Sequence, residues 1–332
     1  MAQNHIYAMT VKLFGAQAEP RFETSGELEA PWGREWGCNN DVGQLRTVLM
    51  HRPGREFEVI DPSKRIDEIG CFGDVESGWY FQSDTLPKLS ELQAQHDALA
   101  SALRAEGVEV VLLESAGEGR FKTCYTRDSA FAIEGGAIVT RLAPRMRRGE
   151  EADVTRALAA LGMPILRTVH GDGLMEGGSF AWINSKTAVV GRSIRVNDSG
   201  IAQVAEVLAH QGVELLVADL CGYSIHIDGA FLMVDVDLAL VDASRLPFSF
   251  LEKLKELKVR TVEITPDDNP WIINGLAVRP GRMLAPPGMS DRTREELAKA
   301  KVEVVELEYD RMHHNGGGIH CSTCPLIRDS ID

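Results

Sequence analysis

The chain has 332 residues, 44% of them hydrophobic, and its 35 basic and 49 acidic residues leave a formal net charge of −14 at pH 7. That length and apolar content suffice for a large core, and the negative charge disfavours nucleic acid or an anionic membrane as partner while suiting a cationic small molecule. No stretch approaches the roughly 20 apolar residues of a membrane span, the N-terminus lacks a basic and apolar signal pattern, and six cysteines in so long a chain fit a reducing compartment, so a cytoplasmic protein is expected.

Residues 1–35 carry Gly, Glu and Pro without sustained periodicity and read as an N-terminal extension that exchanges arms with a neighbouring copy or covers a site mouth. Residues 36–332 then read as one domain built from an internal repeat of the order ββαβ: two β-branched apolar segments, an amphipathic helix, and a closing strand announced by Gly or Lys before Val or Met. In chain order the helices are Leu92 to Ala105, Ala152 to Ala160, Ile201 to His210, Phe250 to Leu257 and Arg292 to Ala300. Their closing strands begin at Gly107, Gly162, Gly212, Val259 and Val302, spaced on the order of 40 to 55 residues apart, within the range of repeated supersecondary units. A long loop from Asp61 to Leu86 interrupts the first unit, and Asp74 or Glu76 is placed at the surface. Alternating helices and strands give an α/β protein, and five such units close most simply in a ring. In a ring, every unit's first strand starts at the same end of the axis.

Those strand starts carry the chemistry. Asp128 lies in Thr126-Arg127-Asp128, Glu176 in Met175-Glu176-Gly177-Gly178, and His226 with Asp228 in Ile225-His226-Ile227-Asp228-Gly229. Cys321 follows three glycines in His314-Asn315-Gly316-Gly317-Gly318-Ile319-His320-Cys321, a polar setting that suits a nucleophile better than a core cysteine. Cys38, Cys71 and Cys221 read as core residues; His51, His96, His170 and His210 read as surface or hydrogen-bonded positions. Cys321 and Cys324 have redox-motif spacing, but no second Cys-x-x-Cys completes a zinc site, and neither a phosphate loop nor a dinucleotide fingerprint is present. No metal and no cofactor are expected.

These motifs, in this order, resemble the guanidino-group-modifying enzymes: arginine deiminases, agmatine deiminases, amidinotransferases and dimethylarginine hydrolases. Trp36-Gly37-Cys38-Asn39-Asn40-Asp41 resembles their entry strand and Asn274-Gly275-Leu276 the segment that opens the last unit. The resemblance implies a five-bladed αβ propeller, the pentein fold. It implies Cys321 as nucleophile, His226 as general acid and base, Glu176 orienting the histidine, and Asp128 and Asp228 gripping the guanidinium. Physical chemistry agrees: a planar, permanently cationic guanidinium pairs its N–H donors with carboxylates, and its charge favours a thiolate beside it.

Details divide the members. Ser179 stands where arginine deiminases carry an Asp, and Ile319 and His320 where they carry an arginine for the substrate carboxylate. Among Arg145, Arg147, Arg148, Arg192 and Arg195, Arg195 is the candidate for that task. The His226-x-Asp228 pair argues against the dimethylarginine hydrolases. The expected activity is hydrolysis of a guanidino C–N bond of arginine or a relative through an amidino-cysteine intermediate, with amidino transfer to an amine as the alternative. A binding-only protein on the same ring is the remote reading, since it needs no Cys, His, Glu and Asp at matching strand starts. Homo-oligomerisation stays open.

Overall fold

The ends of five helices show why the chain repeats. In a computed structural model, which describes residues 2–14, 19–114, 117 and 119–331, helices Leu89–Ala105, Glu150–Leu161, Asp198–His210, Phe248–Glu256 and Asp291–Lys299 each bury one apolar stripe. Each stripe ends in a fully buried leucine: Leu103, Leu158, Leu208, Leu254 and Leu297. The carbonyl of each accepts the amide of the residue five positions on, Val108, Met163, Val213, Val259 or Val302, at 2.9–3.0 Å. The residue just before each of those donors has a left-handed backbone, with φ of 80° at Gly107, 81° at Gly162, 71° at Gly212, 61° at Lys258 and 64° at Lys301. This closure satisfies carbonyls the helix leaves over and clamps an apolar pair across its end. Glycine adopts the turn freely; the two lysines do so at a cost of roughly 1 kcal/mol each.

Each helix serves as the crossover that parallel pairing requires. In the second to fifth units a hairpin precedes it, and the hairpin's second strand pairs in parallel with the closing strand. The hairpins are Ala130–Ile133 with Gly136–Val139, Phe180–Asn184 with Thr187–Arg192, Phe231–Asp235 with Leu238–Val241, and Leu276–Arg279 with Arg282–Ala285. The closing strands are Ile165–Thr168, Glu214–Asp219, Arg260–Glu263 and Glu303–Glu306. The first unit draws on both ends of the chain: Leu45–Met50 pairs in parallel with Glu109–Leu112 and antiparallel with Cys324–Arg328. The α/β class and the repeat order hold. The middle strands are buried throughout or nearly so, as expected of strands covered on both faces.

Three expectations are corrected. The Asp61 to Leu86 segment is not a bare loop but a small antiparallel sheet of Arg65–Ile66, Cys71–Asp74 and Trp79–Phe81. Phe72, Trp79 and Phe81 bury one face of it, which leaves Tyr80 pointing outward; Asp74 pairs with Lys64. The extension contains a helix, Ala2–Phe14, and its later part docks on the domain. Leu28 is buried, Arg34 pairs with Glu109, and Glu23 shares Gln211 with the carbonyl of Glu134. Glu134 follows the end of strand Ala130–Ile133 remote from Asp128, so this docking does not cover the site mouth. Finally, Cys221 is exposed whereas Cys38 and Cys71 are buried as expected, and His96 is buried with neither ring nitrogen hydrogen-bonded. Burial, against the pull of Asp97 at 3.8 Å, pushes the His96 imidazole down to about 4.

Candidate active site

Four of the units' first strands are entered through a single 3-10 turn: Thr126–Asp128, Gly177–Ser179, Ile227–Gly229 and Pro270–Asn274. The fifth entry is the glycine-rich loop that brings Cys321 to strand Cys324–Arg328. The side chains at these entries meet. A Cβ placed on Gly178 would lie 2.7 Å from His226 Nδ1, 2.8 Å from Asp128 Oδ1 and 3.1 Å from Asp228 Oδ2, so three polar groups converge on a point only glycine can vacate. Gly318 is constrained likewise, its missing Cβ falling 2.5 Å from Asn274 Oδ1. The glycines admit other protein groups as much as a ligand.

Cys321 is buried, its Sγ 3.5 Å from Asp228 Oδ2 and its amide donating to Asn274 Oδ1 at 3.3 Å. Burial, reinforced by Asp228 and Asp128, pushes its thiol well above the ordinary value; the resting residue is a thiol. His226 Nε2 lies 2.6 Å from Glu176 Oε2, and its Nδ1 lies 3.6 Å from Asp128 Oδ1. Burial opposes charge on the imidazole, but Asp128, Glu176 and Asp228 outweigh it and hold the ring up at about 9. Glu176, fully buried, also receives the Ala143 amide at 3.0 Å and Arg195 Nη1 at 3.2 Å. Burial alone would raise its carboxyl; the His226 hydrogen bond and the arginines bring it down to about 2. Every group the sequence assigned to catalysis or guanidinium binding therefore reaches one centre.

Asp128 is more engaged than expected. Its Oδ2 accepts from Arg147 Nη1 at 2.6 Å and its Oδ1 from the Gly178 amide at 3.2 Å. Arg147 is buried with all but at most one of its N–H donors spent on Asp128, Glu150 and the carbonyls of Lys122 and Tyr125, which removes it as a substrate binder. Arg192 lies in exposed ion pairs with Asp198 and Asp219, and Arg145 and Arg148 are exposed. Of the five arginines, Arg195 lines a cavity beside Cys321 and keeps donors free of protein partners. His320, next to the nucleophile, donates through Nδ1 to Asp228 Oδ2 at 2.9 Å and so positions that carboxylate. His313 stacks on Trp271, ring centroids 4.4 Å apart.

Two cavities, of about 280 and about 60 Å3, share His226, Cys321, Ile225 and Gly316. Asn274, Tyr80 and Lys122 belong to this site although sequence reasoning gave them no role. Asn274 sat in a quoted motif; Tyr80 and Lys122 carried no signal. Asp128, Glu176 and His226 also offer ligand atoms within 4.8 Å of one another, the spacing of a metal site. Arg147 and Arg195 already sit on those two carboxylates, and Glu176 holds the imidazole.

A family profile described as N,N dimethylarginine dimethylhydrolase, eukaryotic, matches residues 88–328. The chain belongs to this dimethylhydrolase family. Membership overturns the argument from His226-x-Asp228 against dimethylarginine hydrolases: that pair does not separate the branches, and the family lies within the guanidino-modifying enzymes expected from the motifs. An uncharacterised protein of Bacillus subtilis, YkgA, is 26% identical over 295 residues, 88% of this chain and 95% of its own. Arginine deiminase of Mycolicibacterium gilvum is 33% identical over 132 residues, only 29% of that enzyme and 37% of this chain. Among solved structures, the dimethylhydrolase-family fold matches DDAH of Pseudomonas aeruginosa complexed with citrulline at TM-score 0.68, with 20% identity over 86% of this chain and 100% of that one. The amidinotransferase SxtG of Microseira wollei matches at TM-score 0.69, with 15% identity over 90% and 98%. Among the described residues no helix is long and apolar enough to cross a membrane.

The His226–Glu176 pair gives this family member a defined pH response. The imidazole is raised in the fold, so its contribution to stability is complete below its ordinary 6.5 and is lost as pH rises through about 9. Glu176 is depressed, so its contribution is complete above its ordinary 4.5 and is lost as pH falls through about 2. The pair's own contribution should be complete between pH 4.5 and 6.5 and decline toward pH 9 by an amount on the order of 3 kcal/mol, while Lys122, lowered to about 7, contributes with the opposite sign above that pH, so the pair is read as the difference between wild type and a variant. Thermal melts of Glu176→Gln should show that alkaline decline flattened; an unchanged slope would place the titration elsewhere.

Proposed function

We propose that the protein is a cysteine-dependent hydrolase that cleaves a guanidino C–N bond of arginine or a related compound through an amidino-cysteine intermediate. In this reading residues 36–332 form one catalytic domain, and its five repeated units are the blades of an αβ propeller with the site at its centre. The observation that carries the proposal is the convergence of Asp128, Asp228 and His226 on one point beside the Cys321 thiol. Family membership supports hydrolysis over transfer.

The guanidinium lies against Asp128 and Asp228, which accept its paired N–H groups. Its charge offsets the two carboxylates that, together with burial, hold the Cys321 thiol up, and the thiol proton passes to Asp228 Oδ2, 3.5 Å away. Sγ attacks the guanidinium carbon. The imidazolium of His226, kept charged by Glu176, gives its proton to the departing amine as the tetrahedral carbon collapses. Water then adds to the amidino carbon and gives one proton to His226; the C–S bond breaks as the hydroxyl proton passes to solvent and the carbonyl forms, and Asp228 returns its proton to Sγ, leaving a ureido product and the resting thiol. Asn274, holding the Cys321 amide and the Asp228 carbonyl, fixes the nucleophile relative to the carboxylate.

A panel of arginine, agmatine, methylated arginines and guanidino acids, with and without glycine, ornithine or lysine as acceptor, tests the reaction type. Hydrolysis gives ammonia or an alkylamine and a ureido compound regardless of acceptor. A new guanidino product that forms only with acceptor, with negligible ureido compound, would make the protein an amidinotransferase with Cys321, His226 and Glu176 in the same roles.

A further inference from the structure

The walls of the site carry charge of one sign. At the centre stand the acids Asp128 and Asp228, but the charged side chains that line the cavities outside that centre are Lys122, Arg147, Arg195 and Arg245, all cations. A guanidino compound held at the centre extends the rest of its length past these groups. We propose, on the basis of the hydrolase reading above, that the substrate is an ω-guanidino carboxylate without a free ammonium group, its carboxylate received by Lys122 and Arg195.

Two features make this more than a count of charges. First, two carbonyl acceptors at this wall, those of Tyr80 and Asn315, already hold a cation. Lys122 Nζ donates to the carbonyl of Tyr80 at 2.9 Å and to that of Asn315, and it lies 4.7 Å from the Tyr80 ring centroid, so the protein's own ammonium fills the cation position beneath the Tyr80 rim. Second, the donors an anion needs are still open. Lys122 has a third N–H beyond its two carbonyl partners. Arg195 spends only Nη1 on Glu176, and its side chain is 22% exposed at the cavity. Arg147 keeps at most one N–H beyond its bonds to Asp128, Glu150 and two carbonyls, and Arg245, held by the Gly229 carbonyl and Ser224, lines the other cavity, which Lys122 does not reach.

The lysine's state supports the same direction. Burial, with Arg147 and Arg195 nearby, brings the Lys122 ammonium down to about 7 against the opposing pull of Cys124 and Glu150. An arriving carboxylate restores its charge, whereas an arriving ammonium drives it off. A zwitterionic amino acid brings one group that fits and one that does not.

Matched substrates read this out in the wild-type enzyme. 4-Guanidinobutyrate and agmatine carry their guanidino groups on four-carbon chains with opposite tails, and N-acetylarginine differs from arginine by masking the ammonium. We expect kcat/KM for 4-guanidinobutyrate to exceed that for agmatine by about 100-fold, the worth of two charge-assisted hydrogen bonds, and N-acetylarginine to exceed arginine by about tenfold. Lys122→Met should raise KM for 4-guanidinobutyrate about tenfold with kcat little changed, and narrow its advantage over agmatine. Equal or better turnover of agmatine or arginine would overturn the tail assignment and leave the hydrolase reading standing. Turnover of none of the four, with no adduct on Cys321, would overturn both. An unchanged KM in folded Lys122→Met would remove Lys122 from the carboxylate site.

Discussion

Cys321→Ser should abolish turnover, with kcat falling by roughly four or more powers of ten. The size of the effect follows from the surroundings. A serine hydroxyl in the same place would need to become an alkoxide where burial, and then the charge of Asp228 and Asp128, already hold a thiol well above its ordinary value. No neighbour substitutes: Cys324, three residues on, is buried in the first strand of its sheet with its thiol on the Ala130 carbonyl. Acid quenching of the wild type during turnover should leave an amidino-sized mass on the peptide containing residue 321, absent from the variant. Retained turnover in Cys321→Ser would end the nucleophile assignment.

The second large effect is Asp228→Asn, which keeps the shape and removes the charge. kcat/KM should drop by two or more powers of ten, about 3 kcal/mol of transition-state stabilisation, because one of the two carboxylates facing the guanidinium is gone. The same change should act oppositely on the empty enzyme. Asp228 is, after burial, the strongest influence raising the Cys321 thiol, so its neutralisation lets the thiol ionise more readily. Alkylation of Cys321 by iodoacetamide should therefore speed up in a variant that turns over more slowly. A loss of activity without faster alkylation would mean that the substituted amide had disturbed the contacts with His320 and Cys321 rather than removed a charge.

The sequence made the repeat readable because its punctuation has a backbone cause. Gly107, Gly162, Gly212, Lys258 and Lys301 occupy one left-handed position in five copies, and the leucine and the valine or methionine on either side of it form the same buried pair each time. The site was readable for a related reason: each acid, the histidine and the cysteine stands immediately before a first strand, so recognising the strands located the residues. What the sequence did not convey was pairing between side chains. Nothing local distinguishes Arg147, spent on Asp128 and Glu150, from Arg195, open to the cavity, since both follow second strands. Lys122 and Tyr80 were invisible for the opposite reason: they meet the cysteine loop from segments with no motif, one of them an insertion that reads as loop until its alternating buried aromatics pair into a sheet.

The nucleophile is the one member of the site whose position is not set locally. Asp128, Glu176 and the His226–Asp228 pair each lead into a hairpin that forms within its own unit, but Cys321 is anchored by strand Cys324–Arg328 lying along Leu45–Met50, with the Arg46–Asp329 ion pair joining residues 283 apart in sequence. That strand is the edge of its three-stranded sheet. The same segment also braces the acids: the Cys321 carbonyl accepts the Arg127 amide at 3.1 Å beside Asp128, and His320 Nδ1 meets Asp228 Oδ2 at 2.9 Å. The seam between the chain's two distant ends is thus a structural part of the site, joining the sulfur to the cation pocket through the same short loop.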